Sequence, residues 1–244
     1  MIKVKDLDFT SENKKILDSF SYTFPDECIN FVIGENGAGK TTLLNVLAGV
    51  LDSGGEKATD IGNITTDNHE YKKKMGFLME NPFFYEDLTP DEFIRLILSL
   101  RKISAEQTDL QRWYDLFNLN GLMHSPIRSL SKGAKQKTAI VGSLVHNPQY
   151  ILMDEPVNGL DPVGVRILKE ILIAEKKKGR TIIVSTHILE IAEKLADNVV
   201  VMKEGRMIAS GSIKELRKKN DEELEDIFLR LTGNHDYEKV LDLI

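Results

Sequence analysis

Residues 34–41 read Gly34-Glu-Asn-Gly-Ala-Gly-Lys40-Thr41, GENGAGKT, directly after the apolar run Cys28-Ile-Asn-Phe-Val-Ile33. That run reads as a buried strand. Beyond the glycines, Lys40 to Ala48 carries Leu43, Leu44 and Leu47 at helical spacing, with Gly49 and Gly54-Gly55 as stop signals. A stretch of the form G-x-x-x-x-G-K-[ST] between a strand and a helix is a phosphate-binding loop. Its glycines let backbone N–H groups converge on anionic oxygens, and the helix N-terminus adds its positive dipole. Lys40 is expected to reach the terminal phosphates of a nucleoside triphosphate. Thr41 is expected to offer its hydroxyl to Mg2+, which takes octahedral oxygen ligands shared with the nucleotide. Asn36, Gly37, Ala38, Gly39, Lys40, Thr41 and Thr42 are the expected nucleotide contacts.

Outward from the loop, residues 1–33 read as strands, with Ile2, Val4 and Leu7 near the start and a turn at Ser11-Glu12-Asn13. Tyr150 to Met153, Thr181 to Val184 and Val199 to Met202 are short apolar strands separated by helix-like segments. Such alternation predicts a mostly parallel sheet covered on both faces. Glu204-Gly205-Arg206 reads as a turn to a further strand, and Pro90 to about Leu144 is almost wholly helical in pattern. Residues 81–147 are therefore read as a helical insertion in a domain spanning 1–220. The remainder, 221–244, is a short helical tail in which Leu224, Ile227, Phe228 and Leu231 share a face, with Asn220 and Glu223 read as a capping pair.

The strand Tyr150-Ile-Leu-Met ends in Asp154-Glu155-Pro156. Parallel α/β sheets bind ligands at the carboxyl ends of their strands, so both acids arrive where the phosphate loop opens. Neighbouring strand residues face opposite sides, which predicts separate tasks. Asp154 is expected to support Mg2+, and Glu155 to orient and polarise an attacking water.

Composition narrows the partners. A net charge of −6 is weak for a nucleic-acid binder, so any phosphate ligand needs a local site and no nucleic acid is expected. One cysteine, Cys28, leaves no internal disulfide and suits a reducing compartment. The start lacks a signal-peptide core, and the apolar stretch FIRLILSL is short and holds Arg95; the chain is not expected to cross a membrane. Lys72-Lys73-Lys74 reads as a solvated turn before a strand, and Lys176 to Gly179 as a helix C-terminus.

Taken in order, these motifs resemble the nucleotide-binding subunit of ATP-binding cassette (ABC) transporters over about residues 2–231. The most specific element is Leu130-Ser131-Lys132-Gly133-Ala134-Lys135-Gln136, similar to the family signature LSGGQ and opening an amphipathic helix. The resemblance implies an α/β P-loop NTPase fold: a mostly parallel core sheet, an antiparallel β subdomain and an inserted α-helical subdomain. It also implies that two cassettes, as homodimer or heterodimer, pair head to tail. Each ATP then lies between one subunit's phosphate loop and the other's signature, here Ser131 and Gly133. Asn158-Gly159-Leu160-Asp161 resembles the loop crossing that interface, so Asp161 counts among the nucleotide contacts. His187, after a strand, resembles the switch histidine at the γ-phosphate; with Glu155 and Lys40 it completes the implied catalytic set. Phe9 falls where the family carries an aromatic that stacks on adenine. Lys132 and Ala134 depart from the signature, and Glu80 stands where many relatives carry a glutamine, as an implied third metal ligand beside Thr41 and Asp154.

Glutamate at 80, the Asn158-Gly159-Leu160-Asp161-Pro162 stretch and a single cassette resemble the subgroup that energises two-gene bacterial exporters. The translocation path then lies in a separate membrane permease, and the cassette is cytoplasmic, peripheral on the inner face of the cell membrane. A non-transport ABC ATPase and a nucleotide-sensing subunit are the competing functions. Chromosome-type relatives hold long coiled coils, whereas Lys40 and Ser131 are only about 90 residues apart and no sustained heptads occur. A filled Glu155 position argues against a mere sensor. Phe83-Phe84-Tyr85, just past Glu80, are read either as the contact for a short permease helix or as core packing within the insertion.

Overall fold

The computed structural model describes residues 1–219 and 221–233. Two antiparallel strands open the chain, β1 (Ile2–Ser11) and β2 (Lys14–Phe24), joined at Glu12 and Asn13, both left-handed. Next come β3 (Ile29–Gly34), α1 (Lys40–Leu47), β4 (Gly54–Thr59), β5 (Gly62–Asn63), α2 (His69–Lys73) and β6 (Met75–Leu78). The helical segment holds α3 (Pro90–Leu100), α4 (Leu110–Leu116) and α5 (Lys132–Leu144). Then follow β7 (Tyr150–Asp154), α6 (Pro162–Lys177), β8 (Thr181–Thr186), α7 (Leu189–Leu195), β9 (Asn198–Lys203), β10 (Arg206–Gly211), α8 (Ile213–Leu216) and α9 (Leu224–Thr232).

Six strands form the main sheet in the order β10-β9-β3-β8-β7-β6, parallel except for the β10 edge. A second, antiparallel sheet runs β2-β1-β4-β5. This is the expected P-loop architecture.

Strand parity divides the interior in two. Ile151 and Met153 of β7, Ile182 and Val184 of β8, and Val199 and Val201 of β9 face the core shared with the helical segment, α6, α7 and α9. Their neighbours Tyr150, Leu152, Ile183, Val200 and Met202 face the core shared with α1 and the antiparallel sheet. A two-residue period in strands buried on both sides produces this division. The same parity puts Asp154 on the α1 face.

Local chemistry explains two differences from the sequence reading. The lysine run is not a plain turn: Lys72 and Lys73 form the last turn of α2, because Asn68 caps it by accepting from the Tyr71 amide at 3.0 Å. Buried Tyr71 anchors that helix by donating to the Leu47 carbonyl at 2.7 Å. In the tail, α9 begins with Glu223 at its N-cap without a side-chain cap bond; Asn220 lies outside the described residues. Burial of Leu224, Ile227 and Phe228 holds that helix in place of a cap.

Within the trio Phe83-Phe84-Tyr85, one ring packs into the core and two lie at the surface. Phe84 is buried and packs on Phe93 at 5.0 Å, whereas Phe83 is 74 % exposed and Tyr85 59 %. No described helix is long and apolar enough to cross a membrane.

Candidate functional site

The glycine loop ends in an α1 N-terminus capped by Gly39, which has no side chain to occupy the first-turn amides. Gly39 sits at φ 100°, and a Cβ there would lie 2.8 Å from the Ile16 carbonyl oxygen. Glycine is required on both counts. Lys40 is buried, and its Nζ donates to the carbonyls of Gly34 at 2.8 Å and Glu35 at 3.1 Å. Burial pushes the Lys40 ammonium below its ordinary pKa, opposed by the charges of Glu155, Asp154 and Glu80. An anion entering the loop would relieve that cost.

A cleft of about 450 Å3 opens over the loop, within the range of small-molecule sites. Asn36, Gly37, Gly39, Lys40, Thr41 and Thr42 line one side. Glu80, Glu155 and His187 line the other. Ala38 lies just beneath, in the core.

Glu155 follows β7 in the left-handed region at φ 46° and is buried. A non-glycine residue held there carries backbone strain, about 1–3 kcal/mol, that the surrounding packing must offset. Its Oε1 lies 2.9 Å from His187 Nδ1, and its Oε2 accepts from the Thr186 hydroxyl at 3.2 Å. Two partners fix the carboxylate, so it is oriented before any water arrives. Asp154, one residue earlier, accepts from the Ser185 hydroxyl through one oxygen, while its buried Oδ2 has no partner. An unpaired carboxylate oxygen at that depth is costly unless a ligand meets it. Hard oxygen donors from Asp154, Thr41 and Glu80 are the chemistry Mg2+ takes. Among the described residues no three acidic, histidine or cysteine side chains converge, so phosphate oxygens would have to complete such a site.

The signature residues form a second assembly. Ser131 caps α5 by accepting from the Ala134 amide at 3.2 Å, and Gln136 donates to the Pro156 carbonyl at 3.0 Å. A Cβ on Gly133 would meet the Gly159 carbonyl oxygen at 2.8 Å, so α5 and the 158–161 loop are in close backbone contact. Asp161 caps α6 through the Gly164 amide at 2.5 Å and pairs with Lys137 at 2.8 Å. Ser131, Gly133 and Asp161 are not among the residues lining the phosphate-loop cleft.

Phe9 is also outside that lining; it lies on β1 opposite Leu17, partly buried against the α1-side core. Lys14 and Ile16 take part in the lining instead. Nothing local marks them: they sit on a strand outside the motif, and tertiary packing, including the Gly39–Ile16 approach, brings them to the loop. The Thr186 and Ser185 anchors were equally unread, although both stand beside His187 in the sequence.

Comparison with known proteins agrees with this geometry. Residues 17–158 match the family described as ABC transporter. An uncharacterized ABC transporter ATP-binding protein of Methanocaldococcus jannaschii is 34% identical over 89% of this chain and 80% of its own length. The lantibiotic transport ATP-binding protein SrtF of Streptococcus pyogenes is 30% identical over 93% of this chain and 96% of its own. A solved ATP-binding subunit of an ABC transporter superposes with a TM-score of 0.89 at 29% identity, covering 95% of this chain and 99% of the other. A phosphate loop facing a fixed glutamate–histidine pair, within a cassette fold shared along nearly the whole chain, places this protein in the ABC transporter family as an ATP-binding, ATP-hydrolysing subunit.

Proposed function

We propose that this chain hydrolyses Mg-ATP in pairs of cassettes to drive export through a separate membrane permease. Cassettes of this family dimerise and work with a permease. The supporting observation is the loop Met79 to Tyr85, which belongs to two cavities at once. Glu80 lines the nucleotide cleft, while Met79, Pro82 and Phe83 line an apolar groove of about 180 Å3 with Phe93 and Ile97. Movement at the nucleotide would therefore reach the groove across one or two residues. A short amphipathic helix of the permease suits that groove, with exposed Phe83 and Tyr85 as contacts.

In this reading the loop amides and Lys40 hold the β- and γ-phosphates, with Phe9 assigned no contact. Thr41, Asp154 and Glu80 would hold Mg2+, which neutralises phosphate charge when bound. Glu155 takes the proton of the attacking water, and His187 keeps the carboxylate aimed. Ser131, Gly133 and Asp161 contribute across the cassette interface. Export is supported by likeness to the lantibiotic transport protein, and the permease would hold the chain on the inner face of the cell membrane.

The test is Mg-dependent ATPase activity of the chain with and without its permease. Phe83→Ala should keep basal hydrolysis and lose permease stimulation. Unchanged stimulation in both Phe83→Ala and Tyr85→Ala would count against the groove as the docking site.

A further inference from the structure

The turn between β9 and β10 touches two other parts of the chain. Lys203 pairs with Arg206, leaving Glu204 and Gly205 as a two-residue link with φ 50° and 77°. Two left-handed residues fit a type I′ turn, the tight link that suits twisted antiparallel strands. Gly205 is buried, and both its backbone groups are used outside the hairpin. Its N–H donates to the Ala38 carbonyl at 3.0 Å, and its carbonyl accepts from the Asp18 amide at 3.1 Å. The turn therefore bridges the phosphate loop and β2. Glycine is needed for that reach, because a Cβ on Gly205 would lie 2.3 Å from the Ile16 carbonyl oxygen. Arg206 pairs with Asp18 beside it, so side chains hold the bridge as well.

The Ala38 carbonyl and the Gly39 N–H belong to one planar trans peptide, so they point in opposite directions. Tying the carbonyl back to Gly205 turns the N–H away from the turn. That N–H has no backbone acceptor among the described residues, and it stands at the N-cap of α1. An amide left open there is one that an anion can take. Building on the nucleotide-site reading above, we infer that Gly205 is a positioning residue: the β9–β10 turn fixes the Ala38–Gly39 peptide so that the Gly39 N–H is aimed at a phosphate oxygen before the ligand arrives. An amide aimed in advance spares the cost of ordering the loop on binding.

The test compares Gly205→Ala with Gly179→Ala, a position at φ 78° whose Cβ would meet only Glu27, at an ordinary 3.5 Å. Both variants carry the strain of a left-handed alanine, but only the first displaces the turn. Each is made in the full chain carrying Glu155→Gln, so that ATP is not consumed, and titrated with ATP and inorganic tripolyphosphate in Mg2+ at a temperature where thermal melts show every protein folded. Gly205→Ala should weaken both ligands about tenfold, the worth of one hydrogen bond to a charged group. Gly179→Ala should stay within about twofold of the parent. With Glu155 restored, Gly205→Ala should raise the KM for ATP while kcat holds within about twofold, the mark of lost binding rather than lost chemistry. Equal weakening by the two glycine variants, or parent-like affinity in Gly205→Ala, would overturn the inference. Where Gly205→Ala does not fold, Arg206→Ala decides: Arg206 is exposed, and losing its pair with Asp18 should weaken both ligands about threefold. Unmoved affinities in that variant would then refute the brace. Failure of the parent chain to bind either ligand would overturn the nucleotide-site reading itself, and the brace with it.

Discussion

Glu155 is the residue to which the proposed mechanism assigns the proton transfer. It is buried, held at a left-handed backbone position, and bonded through both oxygens to His187 and Thr186. Glu155→Gln keeps the shape and one acceptor oxygen but cannot take a proton. Turnover should fall by roughly 10²- to 10⁴-fold while ATP affinity stays within about threefold. Single-turnover hydrolysis beside equilibrium ATP binding checks both halves, and turnover within a factor of about two of wild type would remove Glu155 from the mechanism. Lys40 separates the opposite way. Its ammonium is buried at a cost that a phosphate would repay, so Lys40→Ala should lose ATP affinity by at least about tenfold without unfolding the chain. ATP titration alongside a thermal melt distinguishes lost binding from lost structure.

At the scale of elements, glycines mark where backbones meet. A Cβ on Gly76 would lie 2.1 Å from the Ser143 carbonyl oxygen and 2.9 Å from Pro148 Cγ, so β6 runs hard against α5. Backbone cannot swing aside as a side chain can. Gly76→Ala should therefore cost about 3 kcal/mol, the upper end of overpacking penalties, read as a lowered urea midpoint with ATP affinity reduced only through unfolding. Gly133→Ala is a different experiment. It lies in the first turn of α5, where alanine is a good helix former, yet its Cβ would press on the Gly159 carbonyl at 2.8 Å. The fold should survive while the signature and the 158–161 loop part slightly. Turnover should then drop on the order of tenfold to a hundredfold, since small misplacements act through orientation. An unchanged rate would detach this contact from catalysis.

Across the whole molecule, what could be read from sequence was what short periods and contiguous motifs encode. The glycine loop, the acidic strand end and the apolar runs of β7, β8 and β9 are each encoded within a few neighbouring residues, and each was readable. The contribution of β2 to the cleft was not, because Ile16 meets Gly39 only after two sheets have packed. The division of Phe83, Phe84 and Tyr85 was half readable: the cluster stood out, but which ring turns inward depends on Phe93, in the helix that follows. The same long-range packing governs acid stability through His146, a residue no motif marks. His146 lies beyond α5, is 7 % exposed, and pairs its Nε2 with the Met75 carbonyl at 3.1 Å, tying the helical segment to β6. Burial, reinforced by Arg101 nearby, lowers its pKa to about 4 from an ordinary value of 6.5. The unfolded chain thus takes up a proton near pH 6.5, and the folded chain refuses it until about pH 4. The stability linked to His146 is whole above pH 6.5 and is lost as pH falls toward 4, by about 3 kcal/mol in all. Urea midpoints at pH 7.5 and 5.0 should therefore differ more in the wild type than in His146→Gln, whose side chain can still donate to Met75 but cannot protonate. Equal pH differences in the two proteins would show that acid instability comes from other groups.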